Sequence, residues 1–197
     1  MDQPTKTFDR LVEVAATQHG FLTTANADDL GIPQAYLRRL AQTSRAQQRY
    51  RGIYRLTAIP VTALDEFHEA VLWAGEGAAV GGEAALDLWE LADVNPRQID
   101  VVVPRGRRVR RHDTGRFRVK NRNLRNRDFD FVDGVPVVTP AIAIAQVIDD
   151  GLERGLIEQA IAKARRREVL DERTEARLRV ALEDRRLVPK AKRMTSV

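Results

Sequence analysis

The stretch of residues 24–57 constrains the fold more than any other part of the chain, because it predicts a short helix, a turn, a second helix and a β-hairpin in direct succession. Thr24 or Asn26 is expected to cap the first helix, since their side-chain oxygens accept hydrogen bonds from unpaired backbone N–H groups. Gly31 is expected to end that helix in a left-handed conformation, which glycine adopts at low cost. Pro33 then suits the first position of the second helix, where its missing N–H is not needed. This order of elements is typical of a helix-turn-helix with a wing.

The second predicted helix, from residue 33 to about residue 42, has two different faces at helical spacing. Its apolar face has Tyr36, Leu37 and Leu40. Its polar face has Gln34, Arg38, Gln42 and Arg45, and Arg39 flanks that face. Arginine and glutamine carry the hydrogen-bonding groups that read guanine and adenine edges in the DNA major groove. The helix is therefore a candidate recognition helix, although arginines also occur on helix faces that are only solvated.

The segment after that helix is rich in arginine and free of acidic residues. Residues 49–56 alternate with a period of two, as expected of a half-buried strand. Between Arg38 and Arg55 every charged side chain is positive. An arginine-rich hairpin in this position can lie along DNA phosphates as a wing. The absence of acids across both helix and hairpin favours DNA binding over a merely solvated face.

The composition narrows the class of protein further. The chain has 197 residues, of which 43% are hydrophobic, so it is long enough for one large or two small domains with a real core. Its formal net charge of +5 favours a polyanionic partner. It has no cysteine, which excludes a disulfide framework and a cysteine-based zinc site. The sequence has no apolar run long enough for a membrane span and no signal-peptide pattern, so we expect a cytoplasmic protein.

The charges are distributed unevenly along the chain. Residues 58–104 are acidic, with Arg97 as their only basic residue. Residues 105–127 form a basic block with Asp113 as the only acid. The block contains Arg105, Arg107, Arg108, Arg110, Arg111, Arg116, Arg118, Lys120, Arg122, Arg125 and Arg127. Such a block can bind nucleic acid or dock an acidic protein, or it can be a solvated loop whose arginines protect an edge strand from pairing. So many cations in a short span favour a polyanion or an acidic partner.

Residues 1–58 are predicted to form the winged helix-turn-helix domain, and residues 59–197 a second, larger domain. In the second domain, branched and alternating residues predict four strands, and Asp133-Gly134 is a strong hairpin signal. The predicted strands are 99–103, 117–124, 129–132 and 135–138, and the predicted helices are 62–74, 83–91, 141–148, 153–167 and 172–186. The expected fold class is α+β, with a winged helix followed by a mixed α/β domain that has a small, mainly antiparallel sheet and C-terminal helices.

The residue types do not favour an enzyme. The only serines are Ser44, at the end of the candidate recognition helix, and Ser196, so a serine triad is disfavoured. The histidines His19, His68 and His112 are scattered and lack the spacing of metal ligands. We expect no catalytic residue, no cofactor and no metal.

Two patterns nevertheless resemble catalytic sites. The glycines of residues 75–82 could form a phosphate-binding loop, but the lysine of a P-loop is missing, and a tight connection beside a short strand is the simpler interpretation. Asp100 with Lys120 could imitate the metal site of a nuclease, but no Glu-x-Lys pair accompanies them. Neither pattern predicts an activity as well as the helix-turn-helix predicts DNA binding.

Several motifs, taken in their order and spacing, resemble the AbiEi antitoxins, the antitoxin members of bacterial and mycobacterial toxin–antitoxin pairs. In the first half they are PheAspArgLeuValGluValAlaAlaThrGlnHisGlyPheLeuThrThr at residues 8–24, LeuGlyIle at residues 30–32 and ArgTyrArgGlyIleTyrArgLeu at residues 49–56. In the second half they are GlyGlyGluAlaAlaLeuAspLeuTrpGluLeuAlaAsp at residues 81–93, IleAspValValValPro at residues 99–104 and the segment 133–149. The resemblance spans about residues 8–150.

This resemblance implies a winged helix that binds inverted repeats upstream of its own operon and represses it. It also implies a second domain that counteracts a nucleotidyltransferase-fold toxin encoded beside it. The DNA contacts implied are those of Gln34, Arg38, Arg39, Gln42 and Arg45 beside the helix, and of Arg49 and Arg51 in the wing. Tyr54 is expected to pack the wing onto the core. Residues 43–48 depart from the family pattern, because they are polar apart from Ala46 where many relatives have a glycine and a hydrophobic residue.

The antitoxic residues are not fixed by the resemblance. A nucleotidyltransferase offers acidic catalytic carboxylates, so we expect the basic block to supply the toxin or polyanion surface. The candidates are Arg105, Arg107, Arg108, Arg110, Arg111, Arg116, Arg118, Lys120 and Arg122. Two alternatives stay open: a winged-helix regulator whose second domain senses a ligand, and an antitoxin that acts enzymatically by covalently modifying its toxin, for example by phosphorylation. A membrane partner is not expected.

Overall fold

The computed structural model describes residues 4–109 and 115–187, and it confirms the α+β fold class. The first half contains α1 (Pro4–Ala16), β1 (Phe21–Thr23), α2 (Thr24–Asp29), α3 (Gln34–Gln42), β2 (Ala46–Tyr50) and β3 (Ile53–Leu56). The three strands form an antiparallel sheet in the order β1-β3-β2. This half is the predicted helix-turn-helix with its wing.

The cap of α2 lies one residue earlier than the sequence predicts. Thr23, rather than Thr24 or Asn26, is the N-cap: its hydroxyl accepts a hydrogen bond from the backbone N–H of Asn26 at 3.2 Å. The side-chain oxygen of Asn26 accepts one in return from the backbone N–H of Thr23 at 2.8 Å. Of the neighbouring candidates, Thr23 is the one with a suitable partner three residues later, which completes a reciprocal capping box. Gly31 leaves the helix at φ +66°, as predicted.

The wing is a tight hairpin that turns at residues 51–52. Ala46, the apolar residue in the polar stretch before the wing, is buried and anchors the start of β2. The pairing of β2 with β3 shifts between Gln48 and Tyr50, so Arg49 is the extra residue of a β-bulge. A bulge redirects a side chain away from the regular alternation of a strand. Arg49 is therefore positioned differently from its neighbours in the wing.

The second half is a five-stranded sheet with helices packed against it. Its elements are α4 (Asp65–Ala74), β4 (Ala79–Gly81), α5 (Gly82–Leu88), β5 (Ile99–Val103), β6 (Phe117–Asn121), β7 (Phe129–Val132), β8 (Val135–Val138), α6 (Pro140–Asp150), α7 (Arg154–Arg166) and α8 (Glu172–Leu187). The strand order is β6-β5-β4-β8-β7. β4 is antiparallel to β5 and β7 to β8, whereas β5 is parallel to β6 and β4 to β8. The sheet is thus evenly mixed, where the sequence suggested a mainly antiparallel one.

The connection between β5 and β6 is long enough for their parallel pairing. Residues 104–116 separate the two strands, which is about the dozen residues that a crossover needs. In the strand order of this sheet, β6 lies at one edge and β7 at the other.

Buried apolar side chains form two clusters that follow the two halves of the chain. The first includes Leu11, Leu37, Leu56 and Tyr54, which packs into the core as predicted for the wing. The second surrounds the five-stranded sheet and includes side chains from α4 to α8. The expected domain boundary at residues 58 and 59 falls between the two clusters, and the division into two functional domains stays a prediction.

Candidate nucleic-acid interface

The exposed face of α3 is the candidate DNA-reading surface. Leu37 and Leu40 are buried on the inner side of the helix, and Ile32 in the preceding turn is buried with them. These anchors leave the opposite side of α3 in solvent. The exposed side chains there include Gln34, Arg38, Arg39 and Gln42, four of the residues that the sequence predicts to contact DNA.

Two of these side chains are positioned by neighbours. The amide of Gln34 donates to both carboxylate oxygens of Asp28, at 3.1 and 2.9 Å. The guanidinium of Arg39 lies over the ring of Tyr36, 4.7 Å from its centroid. A contact of this kind orients an arginine without neutralising it. Arg38 has no acidic partner among the described residues, so its charge is available to a polyanion.

Arg45 extends the positive surface toward α1. Its guanidinium lies 3.7 Å from the centroid of the Phe8 ring. Its backbone carbonyl accepts a hydrogen bond from the hydroxyl of Thr57 at 3.0 Å, which ties this loop to the end of β3. Arg45 is exposed and therefore adds a positioned positive charge beside α3.

The structure separates the two wing arginines that the sequence groups together. Arg51 is exposed at the turn of the hairpin. Arg49 instead points to α4, where its Nε donates to Oε1 of Glu69 at 3.0 Å and its Nη2 donates to Oε2 at 3.2 Å. The hydrogen bond to Glu69 raises the pKa of Arg49. Of the two wing residues, only Arg51 presents an unpaired guanidinium within the described part of the chain.

Glu69 joins three segments of the chain. Its side chain is 5% exposed, and in addition to Arg49 it accepts a hydrogen bond from Arg116 at 3.3 Å, just before β6. A buried carboxylate needs such partners, because burying an unpaired charge is very unfavourable. The sequence carries one signal of this role: Asp65, Glu69 and Trp73 recur every four residues, so two acids share a helix face with a large apolar side chain.

Arg55 belongs to the same positive run in the sequence, but the structure removes it from the surface. It is 9% exposed, and its Nε donates to Oδ2 of Asp65 at 2.6 Å. Burial would raise the pKa of Asp65, but hydrogen bonds from Thr62 and Arg55 outweigh this effect and the pKa is lowered. This pair and the Glu69 contacts hold the wing against α4.

A pair of histidines lies behind the wing. The ring of His68 on α4 lies 5.4 Å from that of His19 and 5.8 Å from that of Phe21, measured between centroids. Burial, together with the nearby His19, lowers the pKa of His68 to about 4. Neither ring nitrogen of His68 has a hydrogen-bond partner among the described residues. His19 in turn makes a 2.8 Å contact through Nε2 with the backbone oxygen of Asp133, which links the first half to the β7–β8 hairpin.

The predicted toxin or polyanion surface divides into a neutralised and an unneutralised part. The neutralised pairs are Arg116 with Glu69, Arg118 with Asp100, Lys120 with Asp100 and Asp150, and Arg122 with Asp149. Arg107 donates from Nε to the backbone carbonyl of Ala74 at 3.2 Å, which leaves its charge unbalanced. Arg105 and Arg108 are exposed and have no acidic partner among the described residues. Arg110 and Arg111 lie outside the described residues.

Asp100 and Lys120 do lie together, as the nuclease-like interpretation requires, but they form an ion pair. Asp100 is 1% exposed, and its Oδ2 accepts hydrogen bonds from Lys120 at 2.9 Å and from Arg118 at 2.8 Å. Two cationic side chains thus bind this carboxylate directly. Among residues 4–109 and 115–187, no group of three or more acidic or histidine side chains is arranged to hold a metal ion.

The fold and this surface define a winged helix-turn-helix protein with an α+β second half. Residues 9–57 match a family model described as "Transcriptional regulator, AbiEi antitoxin". The match confirms the resemblance to AbiEi antitoxins in the winged-helix half and supports a DNA-binding regulator of the antitoxin class.

One solved structure with a similar chain is that of the RV2827C protein from Mycobacterium tuberculosis. The alignment covers 93% of this chain and 78% of that chain, with 14% sequence identity and a TM-score of 0.46. No curated protein sequence matches the chain.

None of the helices in the described part of the chain is long and apolar enough to cross a membrane.

Proposed function

We propose that this chain is an antitoxin that binds the promoter DNA of its own operon, represses it, and neutralises a nucleotidyltransferase-fold toxin. The observation that carries the proposal is the AbiEi family match over residues 9–57, which contain the exposed glutamines and arginines of α3. In this proposal residues 1–58 are the DNA-binding domain and residues 59–197 are the antitoxin domain.

In the proposed complex α3 enters the major groove. Arg38 and Arg39 donate to guanine edges, and Gln42 contacts an adenine edge. Gln34 is oriented by its hydrogen bond to Asp28. The negative charge of Asp28 lies at the border of the proposed DNA contact, where it disfavours the close approach of a phosphate. Arg45, in the loop after α3, and Arg51, at the turn of the wing, bind phosphates and fix the register without reading sequence. An inverted repeat would then place two copies of the chain on one operator.

Fluorescence anisotropy with the DNA just upstream of its own gene, compared with scrambled DNA across a salt series, tests the repressor function. We expect selective binding that survives moderate salt, and a loss of selectivity in Arg38→Ala equal to about 1–3 kcal/mol for one base contact. Arg166→Ala, the same change at an exposed position of α7, is the control and should leave binding unaltered. Equal, salt-sensitive binding to both DNAs would reject the autorepressor, because it reflects backbone electrostatics alone.

The antitoxin function rests on the part of the basic block that the chain does not neutralise itself. Arg105, Arg107 and Arg108 are exposed and face no acid in the described residues, so they suit a partner with clustered carboxylates. Co-expression with the nucleotidyltransferase-type toxin encoded beside the gene, scored by growth, tests this function. Arg105→Glu combined with Arg108→Glu should lose protection, whereas Arg38→Ala should keep it. Loss of both functions in a folded Arg38→Ala protein would contradict the division into two functional domains.

A further inference from the structure

β6 is an edge strand, and no described segment pairs with its outer side. It pairs with β5 alone, in a parallel register that runs from residues 99 and 117 to residues 103 and 121. At one end of the ladder, Ile99 donates its N–H to the carbonyl of Arg116. At the other end, Arg122 donates its N–H to the carbonyl of Val103. Arg116 and Arg122, which make these two hydrogen bonds on the side of β6, are both even-numbered. Because a parallel pair uses alternate residues of each strand, the even-numbered residues of β6 bond to β5.

The odd-numbered residues of β6 therefore direct their backbone N–H and C=O groups away from the sheet. These residues are Phe117, Val119 and Asn121, and no other described segment pairs with their backbone. An unpaired row of this kind is a template for another strand. The edge thus offers main-chain hydrogen bonds to an extended chain.

An open groove of about 480 Å³ lies beside this edge. Trp73, Phe117 and Val119 supply its apolar part. The rings of Trp73 and Phe117 are 5.0 Å apart between centroids, and both side chains are almost fully buried, so this floor is fixed by the core. Arg107 and Arg108 line the polar part of the groove. An apolar side chain and an acidic one could both be bound there.

The charges around the edge favour one kind of occupant. Arg107 and Arg108 have no acidic partner among the described residues, whereas Arg118 and Lys120, on the opposite face of β6, are bound by Asp100. Of these four residues, the two without a bound carboxylate therefore lie on the groove side of the edge. A second copy of β6 would bring like charges together, which is unfavourable, while a segment with carboxylates would be attracted.

We infer that the outer edge of β6 is a docking site for an extended acidic segment of a partner protein, which adds a strand to the sheet. Main-chain hydrogen bonds to Phe117, Val119 and Asn121 supply the affinity, as in other cases of strand addition. An apolar side chain over Val119 and a carboxylate beside Arg107 and Arg108 supply the specificity. The site includes Arg107 and Arg108, which the proposed antitoxin function also uses, so the inference rests on that function and adds the form of the partner segment. The peptide measurements below use neither DNA nor toxin, so they can fail while the proposed function holds.

Selection of random peptides of about ten residues, the upper length of common strands, against the full chain tests the inference. We expect enrichment of sequences with alternating apolar side chains and at least one Asp or Glu. Anisotropy of a labelled, enriched peptide should show binding that is roughly tenfold weaker in Arg108→Glu, because a charge-assisted contact is lost. Arg166→Glu makes the same change of charge at an exposed position of α7 that does not line the groove, and it should bind the peptide as the unaltered chain does.

A second measurement leaves the protein unchanged and so does not depend on the folding of a variant. Methylation of alternate backbone nitrogens of the enriched peptide removes the donors of one of its edges at a time. One methylation pattern should abolish binding and the other should preserve it. Enrichment of no peptide, enrichment without acids, or equal binding of both methylated forms would overturn the inference. Preferential binding of single-stranded RNA at Arg108 would also overturn it, because the groove would then belong to a nucleic acid.

Discussion

The guanidinium of Arg49 and the carboxylate of Glu69 form a doubly hydrogen-bonded pair, with distances of 3.0 and 3.2 Å, that ties the wing to α4. A guanidinium held in this way is not free to bind a DNA phosphate. Arg51, two residues further on, is exposed and faces no acid in the described residues. The two wing arginines are thus expected to differ in function.

Substitution of these two arginines by alanine should therefore have unequal effects on promoter DNA. Arg51→Ala is expected to weaken binding and to reduce the slope of affinity against salt by about one phosphate contact. Arg49→Ala should leave that slope nearly unchanged, because its charge is already balanced by Glu69. Anisotropy across a salt series measures both slopes. A larger change of slope in Arg49→Ala would mean that the pair with Glu69 opens on DNA.

The same carboxylate should contribute to stability. Glu69→Gln removes the charge that Arg49 and Arg116 share, and we expect the free energy of unfolding to fall by about 1–2 kcal/mol. A larger loss is not expected, because the arginine side chains are 36% and 40% exposed and solvent screens them. Urea unfolding measures the change. Glu66→Gln, at an exposed position of the same helix, is the matched control, and an equal effect in both variants would contradict the role of Glu69.

Local patterns in the sequence predicted most of the elements. The strand bounds 99–103, 129–132 and 135–138 agree with the structure, because branched runs and the Asp133-Gly134 turn signal are local. The exposed face of α3 was also readable, since helical spacing alone separates its buried leucines from Arg38. Each of these features depends on residues that lie close together in the sequence.

Pairings between distant residues were not predictable in this way. Arg49, at the bulge, and the buried Arg55 are bound by Glu69 and Asp65, which belong to a helix on the far side of the expected domain boundary. The basic block illustrates the same limit. Three of its cations, Arg118, Lys120 and Arg122, pair with aspartates that lie elsewhere in the sequence. Net charge in a segment therefore overstates the charge that a partner meets.

Because Gly82 lies close to Asp100, we expect a single methyl group added at this position to reduce stability strongly. Gly82 has φ +59°, and a Cβ there would lie 2.0 Å from Oδ2 of Asp100. Because Arg118 and Lys120 hold that carboxylate, we expect Gly82→Ala to break the ion pairs and to reduce the free energy of unfolding by about 3–5 kcal/mol. Gly106→Ala is the control: its φ is +88° and nothing lies within 4 Å, so only backbone strain of roughly 1–2 kcal/mol is expected. Equal losses in urea unfolding would refute the clash.

His68 predicts how stability changes with pH. Its pKa in the folded chain is about 4, below the ordinary value of 6.5, mainly because burial disfavours the charged ring. Between these pH values the unfolded chain binds a proton that the folded chain does not, so stability falls as the pH decreases from 6.5 to 4 and is unaffected above that range. This shift in pKa corresponds to a loss of about 3 kcal/mol in the free energy of unfolding when the unfolded chain is fully protonated.

His68→Leu, a substitution of similar volume, should remove this part of the pH dependence. The difference in unfolding free energy between the variant and the unaltered chain, measured by urea titration at a series of pH values, is expected to be constant above pH 6.5 and to shift in favour of the variant below it. His19→Gln should narrow the pH range over which stability changes but not abolish the change. His19 is the smaller cause of the lowered pKa of His68, and burial of that ring persists in the variant. A difference curve that stays flat down to pH 4 would show that the ring of His68 is accessible to protons in the folded chain, and that its contact with His19 and Phe21 does not exclude water.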